Sequence, residues 1–340
     1  MGRVNRYLLG SFFTTFSSLF LTLYFIMSII FFIQISRVTS FIEITFLELG
    51  KLYTFMLPQI FLFTIPISFF IAISLSFFRL SKENETIVLF TLGYSPRKIA
   101  LFFTTFAAVI TILLLITSLV FIPLSRELNQ NFIDYKKAEA AINIKATEFG
   151  QKFANWMVFV EKEVKEDDNR AYENLIMYSK TPERLIISEK AAIVNEQGEL
   201  KLSLFNGRAY EVVGGTLHEV LFKNMLFFSY PSDSIKSIDS ILDFWKDIKS
   251  DHKKAKNFSL YVLISLFPLA TLFFALSYGI VTYRYQKGGI YGVIFSVLFF
   301  YFASIMLIGK TIPLSGIAIV FLLFFITSIL FFRQKILKRF

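Results

Sequence analysis

The stretch SKENETIVLFTLGYSPRKIA, from Ser81 to Ala100, is a short polar segment between two long apolar ones. Residues Leu52–Phe78 before it and Ile99–Ser125 after it contain no Asp, Glu, Lys or Arg. Each apolar run exceeds the roughly 20 residues that an α-helix needs to cross the hydrocarbon core of a bilayer. The stretch therefore predicts a chain that crosses a membrane, forms a short polar helix at its surface and crosses back.

The residues at both ends of this segment predict where its helix begins and ends. Ser81 is of a type that caps helices, and the helix dipole favours Glu83 and Glu85 in a first turn. Gly93 predicts the end of the helix, and Pro96 prevents its continuation. We expect a helix from about residue 82 to about residue 92, which is too short to be stable alone in water.

Such a helix needs a surface to pack against. Ile87 and Phe90 are spaced so that they share one apolar face. That face has two possible partners, which the segment alone does not separate. It can lie on the membrane and the helical bundle, or it can dock on a cytoplasmic ATPase to which Glu85 is presented.

The composition extends the membrane interpretation to the whole chain. Hydrophobic residues make up 55% of the 340 residues, and 44 residues are Phe, which is too apolar for an ordinary soluble protein. We expect six transmembrane helices, because six runs of roughly 20 or more residues lack charged side chains. The runs are Tyr7–Ser36, Leu52–Phe78, Ile99–Ser125, Asn257–Tyr283, Gly288–Gly309 and Thr311–Phe332.

The distribution of charge predicts the orientation of these helices. The long polar stretch Arg126–Lys256 is close to neutral, with 20 basic and 21 acidic residues. Short loops on one side of the membrane hold twelve basic residues, whereas those on the other side hold only Arg37, Lys51 and Lys310. Basic loops remain in the cytoplasm. Both termini and the Ser81 segment are therefore expected in the cytoplasm and the polar stretch outside it, so the positive charge does not require a nucleic-acid partner.

The sequence gives little support for an enzyme or a cofactor site. There is no Cys, and the only His residues, His218 and His252, are distant in sequence. The acidic residues of the polar stretch are scattered. The GKT of residues 309–311 lacks the earlier Gly of a phosphate-binding loop, since that position is Ser304. We expect no metal, no cofactor and no catalytic site, with any ATP hydrolysis in a separate subunit.

The polar stretch reads as a helical stem, Arg126–Lys145, followed by short β-strands. Leu200, Leu202 and Leu204 alternate with polar residues, and the Asn206–Gly207 pair predicts a hairpin turn directly after them. The segment LHEVLFKNMLFFSY is expected to form a further strand pair. About seven strands with turns every 8–12 residues or so are typical of an antiparallel sandwich. The predicted domains are 1–125, 126–250 and 251–340.

The chain resembles the lipopolysaccharide export permeases of the LptF/LptG family. Their cytoplasmic helix has an acidic residue, an apolar helix and Gly-x-Ser, which Glu85, Gly93 and Ser95 match here. Similar stretches follow in the family's order over nearly the whole chain, and those around Gly50–Glu85 and Lys145–Gln151 are closer to the LptF type. They are LPQIFLFTIPISFFIAISLSFFRLSKENE, KATEFGQKFANWMVFVEKE, ERLIISEKAAIV, GELKLSLFNGRAYE and DHKKAKNFSLYVLISLFPLATLFFALSYGI.

The resemblance implies the fold and the partners. The fold is a six-span helical protein of the bacterial inner membrane with an inserted periplasmic β-jellyroll domain. The chain would be an ABC transporter permease, paired with a paralogous six-span chain on a cytoplasmic ATPase dimer. It would extract lipopolysaccharide and pass it to single-span and soluble jellyroll partners, toward the outer membrane. The coupling helix would use Glu83, Glu85, Ile87, Phe90, Gly93 and Ser95.

The resemblance also implies a lipid site. Arg37, Lys310, Lys253 and Lys254 are the candidates to bind lipopolysaccharide head groups, although cations at such depths also extend to the interface without a ligand. Gln34 and Ile35 stand where a second basic residue of the first span would be expected. The candidates for the acyl-chain path in the jellyroll are Trp156, Phe159, Leu202 and Leu204, and these side chains would equally suit a closed core.

Two other functions remain as alternatives. A membrane-anchored sensor or scaffold with an external ligand-binding domain would need a cytoplasmic signalling domain, and the predicted cytoplasmic parts are short. A lipoprotein-release type of ABC permease usually has four spans and a different domain position. Six spans around a central β domain favour the lipopolysaccharide exporter.

Overall fold

The structure is a computed structural model of the 340-residue chain. It describes residues 2–39, 44–142, 151–153, 156–166, 169–180, 183–196, 199–213, 216–228, 241–281 and 289–338. The chain divides into two compact units. A helical unit comprises residues 1–35, 50–126 and 238–340, and a second unit comprises residues 36–49 and 127–237.

Six long helices within the described residues are apolar enough to cross a membrane, which confirms the six predicted spans. The third span is a continuous helix, in which a π-helical turn at Thr117–Phe121 joins α4 to α5. The short helices α3 (Glu85–Thr91) and α6 (Ile241–Lys246) lie between spans. The long helices are α1 (Arg3–Thr39), α2 (Phe46–Lys82), α4 (Pro96–Ile116), α5 (Ile122–Ile142), α7 (His252–Gly279), α8 (Ile290–Thr311) and α9 (Pro313–Phe332).

The helices α2 and α7 form the centre of the helical unit. In their most apolar stretches 67% and 72% of the residues are buried, against 11% in α1 and 22% in α8 and α9. Gly279 of α7 lies so close to α2 that an added Cβ would stand 2.7 Å from Cβ of Phe77. Only glycine allows this approach, as is common where membrane helices pack tightly.

The π-helical turn has specific partners. A π turn disturbs the ordinary backbone hydrogen bonds of a helix, so nearby carbonyl groups need other donors. The hydroxyl of Ser265 lies 3.2 Å from the carbonyl oxygen of Leu114 and 3.1 Å from the hydroxyl of Ser118, and Nε1 of Trp245 donates to the carbonyl of Leu119 at 3.0 Å. The helix then continues to Ile142, which agrees with the predicted stem as far as the described residues extend.

The second unit contains a six-stranded antiparallel sheet in which neighbours in sequence are neighbours in space. This confirms the inserted all-β domain. The strands are β1 (Gln151–Phe153), β2 (Trp156–Glu166), β3 (Asn169–Lys180), β4 (Glu183–Glu196), β5 (Glu199–Val213) and β6 (Thr216–Phe228). In the same unit, Lys136 of α5 forms a 2.8 Å ion pair with Glu48 of α2.

Two details of the sequence interpretation are wrong. Asn206–Gly207 lies inside β5 and is not a hairpin turn, and the segment expected to form a strand pair is the single strand β6. A type I′ hairpin turn needs a positive φ at both central residues, whereas here Asn206 has φ of 49° and Gly207 stays in the ladder, paired with Ser188 and Phe222, so the strand bends without reversing.

A crease crosses the sheet at Asn206. In each pair of neighbouring strands from β2 to β6, the backbone register omits one pair of opposite residues. The omitted residues form one polar row across the sheet: Glu161, Asn174, Glu189, Asn206 and Lys223. Ser188 and Ala191 on β4 are both buried, so two residues, instead of one, separate successive inward positions there. The buried cluster of the sheet draws residues from both sides of the crease.

The crease explains why the sequence resembled a sandwich with more strands. The strands β3 and β4 each read as two short alternating segments, because their inward positions change from even to odd, or from odd to even, at the polar row. A long strand with such a bend has the hydrophobic pattern of two strands joined by a polar turn. The described part of the domain is instead one folded sheet around one core.

Candidate functional site

The short helix α3 is the candidate coupling element, and its observed limits differ from those expected. Ser81 does not cap it, because α2 continues to Lys82 and buries Ser81 within its last turn. The helix begins after Asn84, which adopts a left-handed conformation with φ of 62°. It ends before Gly93, whose φ of 80° is one that glycine adopts without strain. A polar residue and a glycine in this conformation thus delimit a seven-residue helix.

Two hydrogen bonds hold α3 to the beginning of α1. The hydroxyl of Tyr7 donates to Oε2 of Glu85 at 2.5 Å, and the hydroxyl of Tyr94, just after α3, donates to Oδ1 of Asn5. Burial raises the pKa of Tyr94 above its usual value, at which the hydroxyl is already protonated at neutral pH. Both ends of the segment that contains α3 are therefore fixed to one turn of the first span.

The two sides of α3 have different environments. Leu89 and Phe90 pack against the core of the helical unit. Ile87, Val88 and Leu92 are exposed over 38%, 55% and 76% of their surfaces. Ile87 and Phe90, expected on one face, thus have different roles, since Phe90 anchors the helix and Ile87 belongs to its open side.

The other predicted coupling residues flank the helix. Glu83 is exposed in the turn between α2 and α3. Ser95 immediately precedes α4, and its carbonyl accepts the first backbone hydrogen bond of that helix from Lys98 at 3.0 Å. The structure therefore brings Glu83, Glu85, Gly93 and Ser95 into one short segment around α3.

Two of the predicted head-group cations lie at the start of α7. Asp251 caps this helix by accepting from the backbone N–H of Lys253 at 2.8 Å and of Lys254 at 3.4 Å. Cations in a first turn oppose the helix dipole, so helix stability does not account for them. The side chain of Lys256 reaches Gly309, which places the start of α7 against the end of α8.

The remaining predicted cations are less completely placed. Lys310 follows Gly309 in α8, and its side chain lies outside the described residues. Arg37 is exposed in the last turn of α1 and belongs to the second unit. The backbone of Lys310 thus lies near the lysines at the start of α7, in the helical unit. Arg37 belongs to the other unit.

The predicted acyl-chain residues separate into two faces of the sheet. Leu202 and Leu204 are fully buried, and Trp156 packs against the same cluster. Phe159 occupies the alternate position between Val158 and Val160, which are both buried in that core. A strand directs successive side chains to opposite faces, so Phe159 projects outward and does not share the inner surface.

Sequence reasoning missed the residues that hold α3. Tyr7 and Asn5 precede Glu85 by about 80 positions, and no periodicity links them. Thr86 was read only as part of a polar segment and Ser81 as a helix cap, although both are almost fully buried. One feature of the sequence did point to Tyr7. It stands at the boundary of an apolar run, where tyrosine side chains commonly lie at the membrane–water interface.

Six apolar helices with a sheet inserted between the third and the fourth define a multi-pass membrane protein with a large β domain. The family described as lipopolysaccharide export system permease LptF/LptG has a model that matches residues 6–334, nearly the whole chain. The chain belongs to this family, which consists of inner-membrane transporter components and not of catalytic enzymes. No match was found among curated protein sequences.

Proposed function

We propose that this chain is the transmembrane subunit of an ABC transporter that extracts lipopolysaccharide from the inner membrane and passes it through its β domain. It works with a paralogous six-span chain and a dimer of a cytoplasmic ATPase. Single-span and soluble jellyroll proteins then carry the lipid toward the outer membrane. The observation that carries the proposal is the shape of α3: one side is anchored in the helical core and the other is open.

The open side of α3 suits a protein partner. Covering an exposed aliphatic side chain contributes about 1.5–3 kcal/mol when it becomes fully buried. Ile87, Val88 and Leu92 together therefore offer several kcal/mol, enough for a small docking site. Glu85 stands at the edge of this surface, where a basic or amide group of the ATPase can approach it. The hydrogen bond from Tyr7 keeps the carboxylate in one orientation before docking.

The distribution of charge supports the orientation that docking requires. Basic residues are concentrated in the short loops on the side of α3, as the positive-inside rule expects of cytoplasmic loops. Both termini and α3 then face the cytoplasm, where ATP is available. The β domain faces the periplasm.

The lipid part of the proposal uses the ends of α7 and α8 and the core of the sheet. Lys253, Lys254 and Lys310 supply positive charge for phosphate groups, and Arg37 supplies more from the end of the first span. Acyl chains would enter the inner surface lined by Trp156, Leu202 and Leu204. In the structure this surface is filled by its own side chains, so passage of lipid requires the folded sheet to open.

A pull-down from native membranes in mild detergent tests the proposal. The tagged wild-type chain is expected to retain a cytoplasmic ATPase and a second six-span chain. Glu85→Arg reverses the charge at the docking edge and is expected to lose the ATPase while keeping the six-span partner. Glu189→Arg, the same change at an exposed position of the sheet, serves as the matched control and should retain both.

The two results that oppose the proposal are distinct. If intact wild-type protein brings down no ATPase, the chain is not an ABC transporter subunit and α3 is a membrane-surface element. If the ATPase is retained equally by the wild type and by Glu85→Arg, the transporter assignment stands but Glu85 has no part in docking.

A further inference from the structure

The hydroxyl group of Ser81 lies where three segments of the helical unit meet. The residue is only 2% exposed. Its hydroxyl donates to the carbonyl of Gly279 at 3.1 Å and accepts from the backbone N–H of Val281 at 3.2 Å. It also accepts from the hydroxyl of Thr86 at 3.2 Å. One donated and two accepted hydrogen bonds use the full capacity of a serine hydroxyl.

The partners of Ser81 belong to two different helices or their ends, α3 and α7. Thr86 is in the first turn of α3 and is buried like Ser81. Gly279 is the last residue of α7, and Val281 lies just beyond it, where the chain leaves toward α8. A single side chain at the end of α2 therefore joins the start of the coupling helix to the end of α7.

The surroundings of this junction are rigid. Besides Phe77, a Cβ at Gly279 would meet the backbone oxygen of Ser74 at 3.0 Å, so α2 and α7 touch backbone to backbone here. Closely packed interiors transmit a displacement because they have no free volume to absorb it. Ser81 therefore bonds to both α3 and α7 at a place with little free volume.

The other end of α7 is the one with the lysines. The helix has 28 residues from His252 to Gly279, and at 1.5 Å per residue it spans about 42 Å. Its first turn holds Lys253 and Lys254 and contacts the end of α8. A single, largely buried helix, with Pro268 inside it, thus connects the Ser81 junction with the proposed head-group site.

We propose that Ser81 is a positioning residue that transmits the displacement of α3 to α7. This rests on the proposed function, in which an ATPase moves α3. Ser81 contacts neither the ATPase nor the lipid. Its hydroxyl fixes the coupling helix to the helix that carries the head-group lysines, so that ATP hydrolysis and lipid movement stay linked.

The test compares export per ATP in liposomes that contain the complete transporter and lipopolysaccharide. ATP hydrolysis and transfer of lipopolysaccharide to a soluble jellyroll acceptor are measured on the same vesicles. For Ser81→Ala we expect normal ATPase binding, sustained hydrolysis and a loss of export per ATP of about fivefold or more, the lower end of typical coupling between sites. The matched control is Ser68→Ala, an equally buried serine of α2 whose hydroxyl has no hydrogen-bond partner among the described residues. It should behave as wild type.

A second pair of variants protects the test against misfolding. Thr86→Val removes only the bond from α3 to Ser81, whereas Thr86→Ser retains the hydroxyl. We expect export per ATP to fall in Thr86→Val and to stay at the wild-type level in Thr86→Ser. If Ser81 and Thr86 only stabilised the fold, the variants would contain less folded complex, and ATP hydrolysis and export would fall together. Export per ATP would then stay unchanged.

Export per ATP equal to wild type in Ser81→Ala and Thr86→Val overturns the proposal. Loss of ATPase binding in Ser81→Ala also overturns it, because Ser81 would then shape the docking surface and transmit nothing. Failure of the proposed function is recognised separately, since the wild-type vesicles would then neither bind the ATPase nor export lipopolysaccharide on addition of ATP.

Discussion

The hydroxyl of Tyr7 donates a 2.5 Å hydrogen bond to the carboxylate of Glu85, although 78 positions separate the two residues. The beginning of the first span therefore fixes the carboxylate that the proposed function assigns to ATPase docking. Such a carboxylate binds a partner better when it is already oriented, because less side-chain freedom is lost on association.

Removing this hydroxyl should weaken the ATPase complex. Tyr7→Phe keeps the ring and deletes the donor, and a hydrogen bond to a charged but partly exposed group contributes about 1 kcal/mol. We expect the affinity for the ATPase to fall about fivefold, measured by titrating the ATPase onto the purified membrane subunits. The control Tyr291→Phe changes an exposed tyrosine of α8 and should have no effect. Equal affinities for both variants would contradict the orienting role of Tyr7.

Gly279 should not tolerate a side chain. In Gly279→Ala the new methyl group would stand 2.7 Å from Cβ of Phe77, so α2 and α7 must separate. Overpacking of this kind costs about 1–3 kcal/mol, which we expect as a lower thermal midpoint in detergent. Gly292→Ala, at a position of α8 with open space around it, should be neutral or slightly stabilising. Equal midpoints for the two variants would show that the close approach is relaxed in the protein.

The crease of the sheet leads to a prediction at Asn206. Its φ of 49° suits asparagine and glycine but not a β-branched residue. We expect Asn206→Val to destabilise the β domain by about 1–2 kcal/mol and Asn206→Gly to leave its stability nearly unchanged. Limited proteolysis of the full chain at increasing temperature measures this difference. If both variants resist proteolysis equally, the left-handed conformation at Asn206 is not required.

The sequence allowed the membrane architecture to be predicted because hydrophobicity and charge act locally. A run such as Leu52–Phe78 has one stable arrangement in a bilayer, since its backbone must satisfy its own hydrogen bonds. The six spans and the helical stem needed no knowledge of distant contacts. The same holds for Gly93, where a single residue type predicts the end of α3.

Ser81 and Asn206 show what local patterns cannot provide. Serine before acidic residues is a common helix cap, but here the hydroxyl of Ser81 bonds to Gly279 and Val281, about 200 positions away. Asn206–Gly207 is a common hairpin turn, but the neighbouring strands β4 and β6 continue past it and hold β5 extended. In both places tertiary contacts override the preference of a short segment.

The candidate site was predictable in part for the same reason. The segment around Glu85 was recognisable from its residues, whereas its fixation by Tyr7 and Asn5 required the fold. Phe159 was placed on the inner surface from its apolar character, yet the alternation along β2 turns it outward. Face assignment in a strand depends on register, which a short apolar run does not determine.

The most direct test of the central claim is ATP-dependent photocrosslinking of lipopolysaccharide to the β domain in liposomes with the complete transporter. A photoreactive amino acid replaces Leu204 on the inner surface, and in a matched control it replaces Phe159 on the outer face of β2. We expect a crosslink at position 204 only when ATP is hydrolysed, with little or none at position 159. Equal crosslinking at the two positions, or none at position 204 during sustained hydrolysis, would contradict the passage of lipid through this domain.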